Sequence, residues 1–202
     1  LDNGTAVVIE IMKQAGVRNP NIEETPEFYN LIVETDKEKD ANRISTDSFY
    51  IYTSISDLIV TPTTPGSGVV SRYDITFSLG DVDEGLDPAD TVYLEFPAGT
   101  VLPAFIASNN IQLVRVVPND IFYPSSVLIQ GQKISLTLPV GFTLAQMADM
   151  KIVFLQSAGI RNPDTPGAYR LTAYTSKEDV PVASNLYTIG STAGDVQVKV
   201  EP

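Results

Sequence analysis

The sequence predicts an all-β fold, a sandwich or barrel of short strands, on two observations. Apolar residues alternate with polar ones at period two, and clusters of Pro, Gly, Asn and Ser interrupt the alternation at intervals of roughly 8–12 residues. Successive side chains of a strand point to opposite faces, so period two lets one set be buried while the other meets water.

The strands are justified in chain order. Tyr73, Ile75, Phe77 and Leu79 alternate with Arg72, Asp74, Thr76 and Ser78. Val92, Leu94 and Phe96 alternate with Thr91, Tyr93 and Glu95, and Ile134, Leu136 and Leu138 with Lys133, Ser135 and Thr137. Tyr169, Leu171 and Ala173 alternate with Arg170, Thr172 and Tyr174, which predicts one continuous strand. Val196, Val198 and Val200 alternate with Gln197, Lys199 and Glu201. The turns between strands fall at Pro62 to Gly68, Pro97-Ala98-Gly99, Gln130-Gly131-Gln132 and Pro163 to Gly167. One stretch departs from the pattern. Leu144, Met147 and Met150 recur every three residues behind Thr143, a candidate N-cap. This stretch reads either as one or two helical turns or as a loop with buried methionines.

The chain also repeats itself. AGVRNP at 15–20 returns as AGIRNP at 158–163, and Ile9, Ile11 and Met12 align with Ile152, Phe154 and Leu155. Downstream, Tyr29, Leu31, Thr35, Lys37 and Glu38 align with Tyr169, Leu171, Thr175, Lys177 and Glu178, and Ser48-Phe49-Tyr50 with Asn185-Leu186-Tyr187. The stretch from about 69 to 140 occurs once. The expected organisation is therefore the rear half of one unit (1–55), a complete unit (56–190) and one further strand (191–202). The ends are expected to be out of phase with the modules.

A rear half-unit exposes strand edges and apolar residues, here Ile9, Ile11, Leu31, Val33 and Phe49. Three outcomes are open: folding back on the complete unit, excision from a longer tandem array, or completion by another copy. In the last case the segment Asp195, Val196, Val198 and Val200 is the natural donor strand. Such a head-to-tail contact does not close, so it builds a homopolymer.

Several blocks of the complete unit resemble a known repeat: YDITF at 73–77, VYLEFPAGTVLP at 92–103, ISLTLP at 134–139, AGIRNP at 158–163, and GAY at 167–169 leading to SNLYTI at 184–189. They resemble the tandem β-sandwich repeat of bacterial secreted, cell-wall and S-layer-associated surface proteins. The resemblance covers about 60–190 and, for the rear half, 6–52. It implies an Ig-like, extracellular, cell-surface spacer or assembly module without enzymatic activity. Residues with structural uses fit that role. Pro97, Pro139 and Pro163 stop strands, Gly99, Gly159 and Gly167 relax the backbone, and Asn162 and Asn19 hold turns.

Composition narrows the function. The 202 residues include 25 acids and 13 bases, a net charge of −12, with no Cys, His or Trp. Disulfides, thiolate nucleophiles, Cys/His metal sites and imidazole acid–base catalysis are excluded. The negative charge disfavours nucleic acid, and the lack of a long apolar run disfavours membrane insertion. Asn3-Gly4-Thr5 fits an N-glycosylation pattern that chance also supplies. Residues 1–57 hold 11 acids and 5 bases, half of the net charge.

Asp81, Asp83, Asp87 and Asp90 are the candidate calcium ligands, because hard Ca²⁺ prefers several carboxylate oxygens. Their spacing is not that of an EF-hand, and the alternative is a solvated turn. Asn19, Asn21, Glu23, Glu24 and Glu27 form a second acidic loop. Cell-wall glycan is an alternative partner, with Tyr50, Tyr52, Phe122 and Tyr123 as candidate platform rings. Phe105, Ile106, Ile121 and Phe122 are candidates for an apolar contact between modules.

Overall fold

The alternating runs form strands in the computed structural model, which describes residues 28–33, 44–50, 55–80, 85–177 and 180–191. The chain divides into two units, Leu1–Ile51 and Tyr52–Pro202.

In the first unit four two-residue strands are described. They are β1 (Phe28–Tyr29), β2 (Ile32–Val33), β3 (Ile44–Ser45) and β4 (Phe49–Tyr50). They nest as antiparallel pairs, β1 with β4 and β2 with β3.

The second unit is an all-β sandwich. Its strands are β5 (Ile55–Pro62), β6 (Tyr73–Leu79), β7 (Thr91–Glu95), β8 (Ile111–Arg115), β9 (Asp120–Phe122), β10 (Ser126–Gln130), β11 (Lys133–Thr137), β12 (Asp149–Phe154), β13 (Gly167–Tyr169), β14 (Thr172–Thr175), β15 (Val182–Ala183) and β16 (Tyr187–Ile189). One five-stranded sheet runs β10-β11-β7-β14-β15 and the other β5-β6-β12-β8-β9, all pairs antiparallel. β13 and β16 pair separately.

The predicted inward sets supply the core. Tyr73, Ile75, Phe77 and Leu79 of β6 are buried, as are Val92 and Leu94 of β7, Ile134 and Leu136 of β11, and Ile152 and Phe154 of β12. Phe96 bridges the layers, its ring edge-on to Tyr73 at 5.4 Å and to Phe154 at 5.9 Å. Each such side chain contributes about 1.5–3 kcal/mol by leaving water, so the core dominates the stability of this unit.

One local expectation meets a different outcome, and one open alternative is decided. The run from Tyr169 to Ala173 is not one strand: the ladder breaks at Arg170–Leu171, where the chain leaves β16 and joins β7 and β15. A side chain takes over at the break, with Leu171 N–H donating to Ser184 Oγ at 3.0 Å and Arg170 Nη1 to Ser184 O at 2.5 Å. Thr143 to Met150 is a loop leading into β12, not a helix. Leu144 and Met150 are buried there and Met147 is exposed. The loop is fixed by a two-way backbone bridge between Leu86 and Leu144, at 2.9 and 2.8 Å.

Candidate functional site

The repeated AGIRNP block builds a corner. A single 3₁₀ turn, Gln156–Ala158, ends at Gly159 with φ 77°, a left-handed conformation that glycine adopts readily. Arg161 then exchanges two backbone hydrogen bonds with Val101. Asn162 is completely buried. Its Oδ1 accepts from Tyr73 Oη at 2.5 Å, and its Nδ2 donates to the carbonyls of Thr64 and Gly66, each at 2.7 Å. The side chain therefore pins the loop before β6 to the core, and its hydrogen-bonding capacity is spent on the protein itself. Burial pushes the Tyr73 hydroxyl pKa up, so it remains a proton donor across the ordinary range. Asn19, the matching residue of the first copy, lies outside the described residues.

A second motif recurs in both units. Leu171 N–H donates to Ser184 Oγ at 3.0 Å and Ser184 N–H to Leu171 O at 2.8 Å. Leu31 N–H donates to Thr46 Oγ1 at 3.0 Å and Thr46 N–H to Leu31 O at 2.9 Å. The two leucines differ in surroundings: Leu171 is 0% exposed and Leu31 51%. Ile32 beside it is 56% exposed. In the second unit β7 flanks β14 and the opposing sheet covers it.

Of the calcium candidates, Asp81 and Asp83 lie outside the described residues. Asp87 is exposed, and Asp90 is committed to protein donors. Its Oδ2 accepts from Asp87 N–H at 2.8 Å and meets Lys177 Nζ at 3.5 Å, and its Oδ1 accepts from Ser176 Oγ at 2.9 Å. Among the described residues no group of three or more acidic side chains is placed to hold a metal. The other constraint in this run is Gly85, where an added Cβ would lie 2.1 Å from Leu144 O.

The aromatic candidates disperse. The side chain of Tyr50 and the whole of Tyr52 are outside the description. Phe122 packs edge-on to Phe142 at 5.3 Å and carries the Arg115 guanidinium 5.0 Å above its ring, while Tyr123 is half-exposed. Sequence reasoning missed the one stacked pair among the described residues, Tyr93 and Tyr174, directly opposite on β7 and β14 with ring centroids 4.5 Å apart. Lys133 Nζ lies 4.4 Å from the Tyr93 centroid, and its hydrogen bond with Tyr174 raises its pKa. These rings stack on each other and hold a cation, so they make a poor open platform.

Of the apolar contact candidates, Phe105 is 76% and Ile121 53% exposed. Ile106 instead belongs to the core, and Phe122 is partly buried against it.

Strand edges are the remaining feature. β5 is interrupted by a register shift between Ser56 and Ile59, where Asp57 has φ 50°, and its Val60 N–H is taken by Asn185 Oδ1 at 2.9 Å. β15 is two residues long, and β9 three residues between Pro118 and Pro124. β10 is five residues of regular ladder with no Pro and no charge. Its alternation of Val127 and Ile129 ahead of the Gln130-Gly131-Gln132 turn was the sequence signal for it.

Of the candidate acceptor residues, Leu31 is described in full, Val33 and Phe49 by backbone alone, and Ile9 and Ile11 not at all. The candidate donor residues Asp195, Val196, Val198 and Val200 also lie outside the described residues. Among the described residues, no helix is long and apolar enough to cross a membrane.

No protein-family model matches the chain, and no curated protein does. Among solved structures, a crystal structure of BslA, a bacterial hydrophobin, is similar at 12% identity and a TM-score of 0.40, covering 70% of this chain and 100% of BslA's.

Proposed function

We propose that this protein is an extracellular structural protein that builds a surface layer, filament or tandem array through strand-mediated contacts between copies. The carrying observation is the contrast between Leu31 and Leu171. Both sit in the same local hydrogen-bonded motif, yet Leu171 is sealed and Leu31 is half in water. A β-strand from a neighbouring copy would cover Leu31, Val33 and Phe49, together with Ile9 and Ile11. The proposed donor is the alternating segment Asp195, Val196, Val198 and Val200. The resemblance of 60–190 to bacterial surface repeats supports the extracellular location. The motif residues described in the second unit are spent on corners and turns, which suits a mechanical role.

The test is deletion of Asp195 to Pro202. The full chain is expected to form polymers visible by electron microscopy and sedimentation, and the truncated chain to form none, while circular dichroism and the melting of the sandwich stay unchanged. Polymers that persist in the truncated protein would overturn the reading.

A further inference from the structure

We propose that β10 pairs with β10 of a second copy, antiparallel and about a two-fold axis at Leu128, joining two sandwich sheets into one. This contact is separate from the head-to-tail one and does not depend on it.

The hairpin register fixes which backbone groups are available. Gln130 and Lys133 flank a two-residue turn, with Gly131 at φ 62° in its first central position, so this pair is hydrogen-bonded. Alternation then makes Leu128–Ser135 and Ser126–Thr137 the other bonded pairs. Phe96 N–H donating to Gln132 O at 2.9 Å gives the same phase from the other side of β11. The N–H and C=O groups of Val127 and Ile129 therefore point away from β11, toward the free edge. Among the described residues only β11 pairs with β10.

This edge is self-complementary. About a two-fold at Leu128, Val127 meets Ile129 of the second copy and Ile129 meets its Val127, making two bonded pairs with four hydrogen bonds. Leu128, 51% exposed, then faces its own copy at the close, non-bonded position. Val127 and Ile129 pack against the core, so the added strand extends an existing apolar layer. Charge also selects this edge. The run from Ile121 to Gln132 holds no charged residue in a chain of net charge −12, so two copies can approach here without bringing carboxylates together. Two five-residue edges bury far less than the roughly 1,200 Å² of a stable interface, so the pair is weak and forms at high protein concentration, with or without the head-to-tail contact. Head-to-tail filaments joined by such two-fold contacts would make a layer.

The chain has no cysteine, so a disulfide trap is clean. Opposed residues at the close position lie about 4.5 Å apart between Cα atoms, within disulfide range. Full-length Leu128→Cys is expected to give a covalent dimer on mild oxidation. Ser126→Cys is not, because the two copies of residue 126 would be about 13 Å apart along the strands. A mixture of Ser126→Cys with Gln130→Cys is expected to cross-link, since these positions oppose. All three positions lie on the exposed face of an edge strand, and unchanged circular dichroism verifies folding. Equal cross-linking of Leu128→Cys and Ser126→Cys, or none of Leu128→Cys, would overturn the pairing. Occupation of β10 by another segment, such as residues 195–202 of a neighbour, would give no Leu128 dimer and overturn it equally. Electron microscopy of the unmodified chain reports separately on polymer formation.

Discussion

Asn162 shows how one buried polar side chain can hold a corner. Replacing it with Ala would leave Tyr73 Oη without its buried partner and break two half-buried bonds to the Thr64 and Gly66 carbonyls, which water can partly replace. Each orphaned group costs about 1–3 kcal/mol, so Asn162→Ala is expected to lower stability by about 2–4 kcal/mol in urea titrations. A loss below 0.5 kcal/mol, a surface-substitution value, would contradict the hub. Asp74 offers a pH test. Burial alone would raise its carboxyl pKa, but hydrogen bonds from Arg72 Nε and Lys151 Nζ, each at 2.6 Å, outweigh burial and hold it below the usual range. A depressed folded pKa adds stability above the unfolded value of about 3.9, and that stability is lost as pH falls through the folded value. Asp74→Asn is therefore expected to destabilise the protein at pH 7 and to flatten the acid limb of its stability profile below about pH 4. An acid limb identical to that of the parent would refute the assignment. The role of Asn162 as a turn-holder was legible from its place in AGIRNP. Its partners at Thr64, Gly66 and Tyr73 were not, because they lie about a hundred residues away in sequence.

At the scale of elements, period two located β6, β7 and β11 with the correct inward faces, since burial on one side of a sheet enforces alternation. It failed between Tyr169 and Ala173 because alternation runs through a point where the chain changes sheets, and the switch depends on Ser184 thirteen residues later. It was ambiguous at Thr143 to Met150 because spacing of three also suits a loop pinned at its ends. The pin makes a prediction of its own. Gly85→Ala would drive a methyl into Leu144 O, a backbone atom that cannot swing aside. The expected loss is about 1–3 kcal/mol, as for other overpacked sites, measured by thermal or urea unfolding. An unchanged melting temperature would show that the Leu86–Leu144 bridge yields easily. The β10 edge belongs to this scale as well: its lack of Pro, bulge and charge sets it apart from β5 and β9, and its length from the two-residue β15.

On the scale of the whole molecule, the two units treat one motif differently. The Leu31–Thr46 and Leu171–Ser184 pairs match within 0.1 Å in both hydrogen bonds, so the local sequence is sufficient to form the turn. Burial of the leucine is not local, and only the unit with two facing five-stranded sheets achieves it. The proposed assembly follows from that difference, and the deletion of Asp195 to Pro202 tests it where it would act, between molecules. If the truncated protein retains polymers while Leu128→Cys still traps a dimer, the edge contact stands and the donor-strand contact falls.

Composition and alternation by themselves determined the all-β class, the inward faces of the main strands and the exclusion of thiol and imidazole chemistry, because each follows from residue type or from neighbours along the chain. Tertiary structure alone decided which carboxylates are already engaged, which aromatic rings lie back to back and which strand, among the described residues, ends its sheet without Pro, bulge or charge. Those properties depend on partners far apart in sequence, and hydrogen bonding and burial between such partners leave no period in the chain to be read.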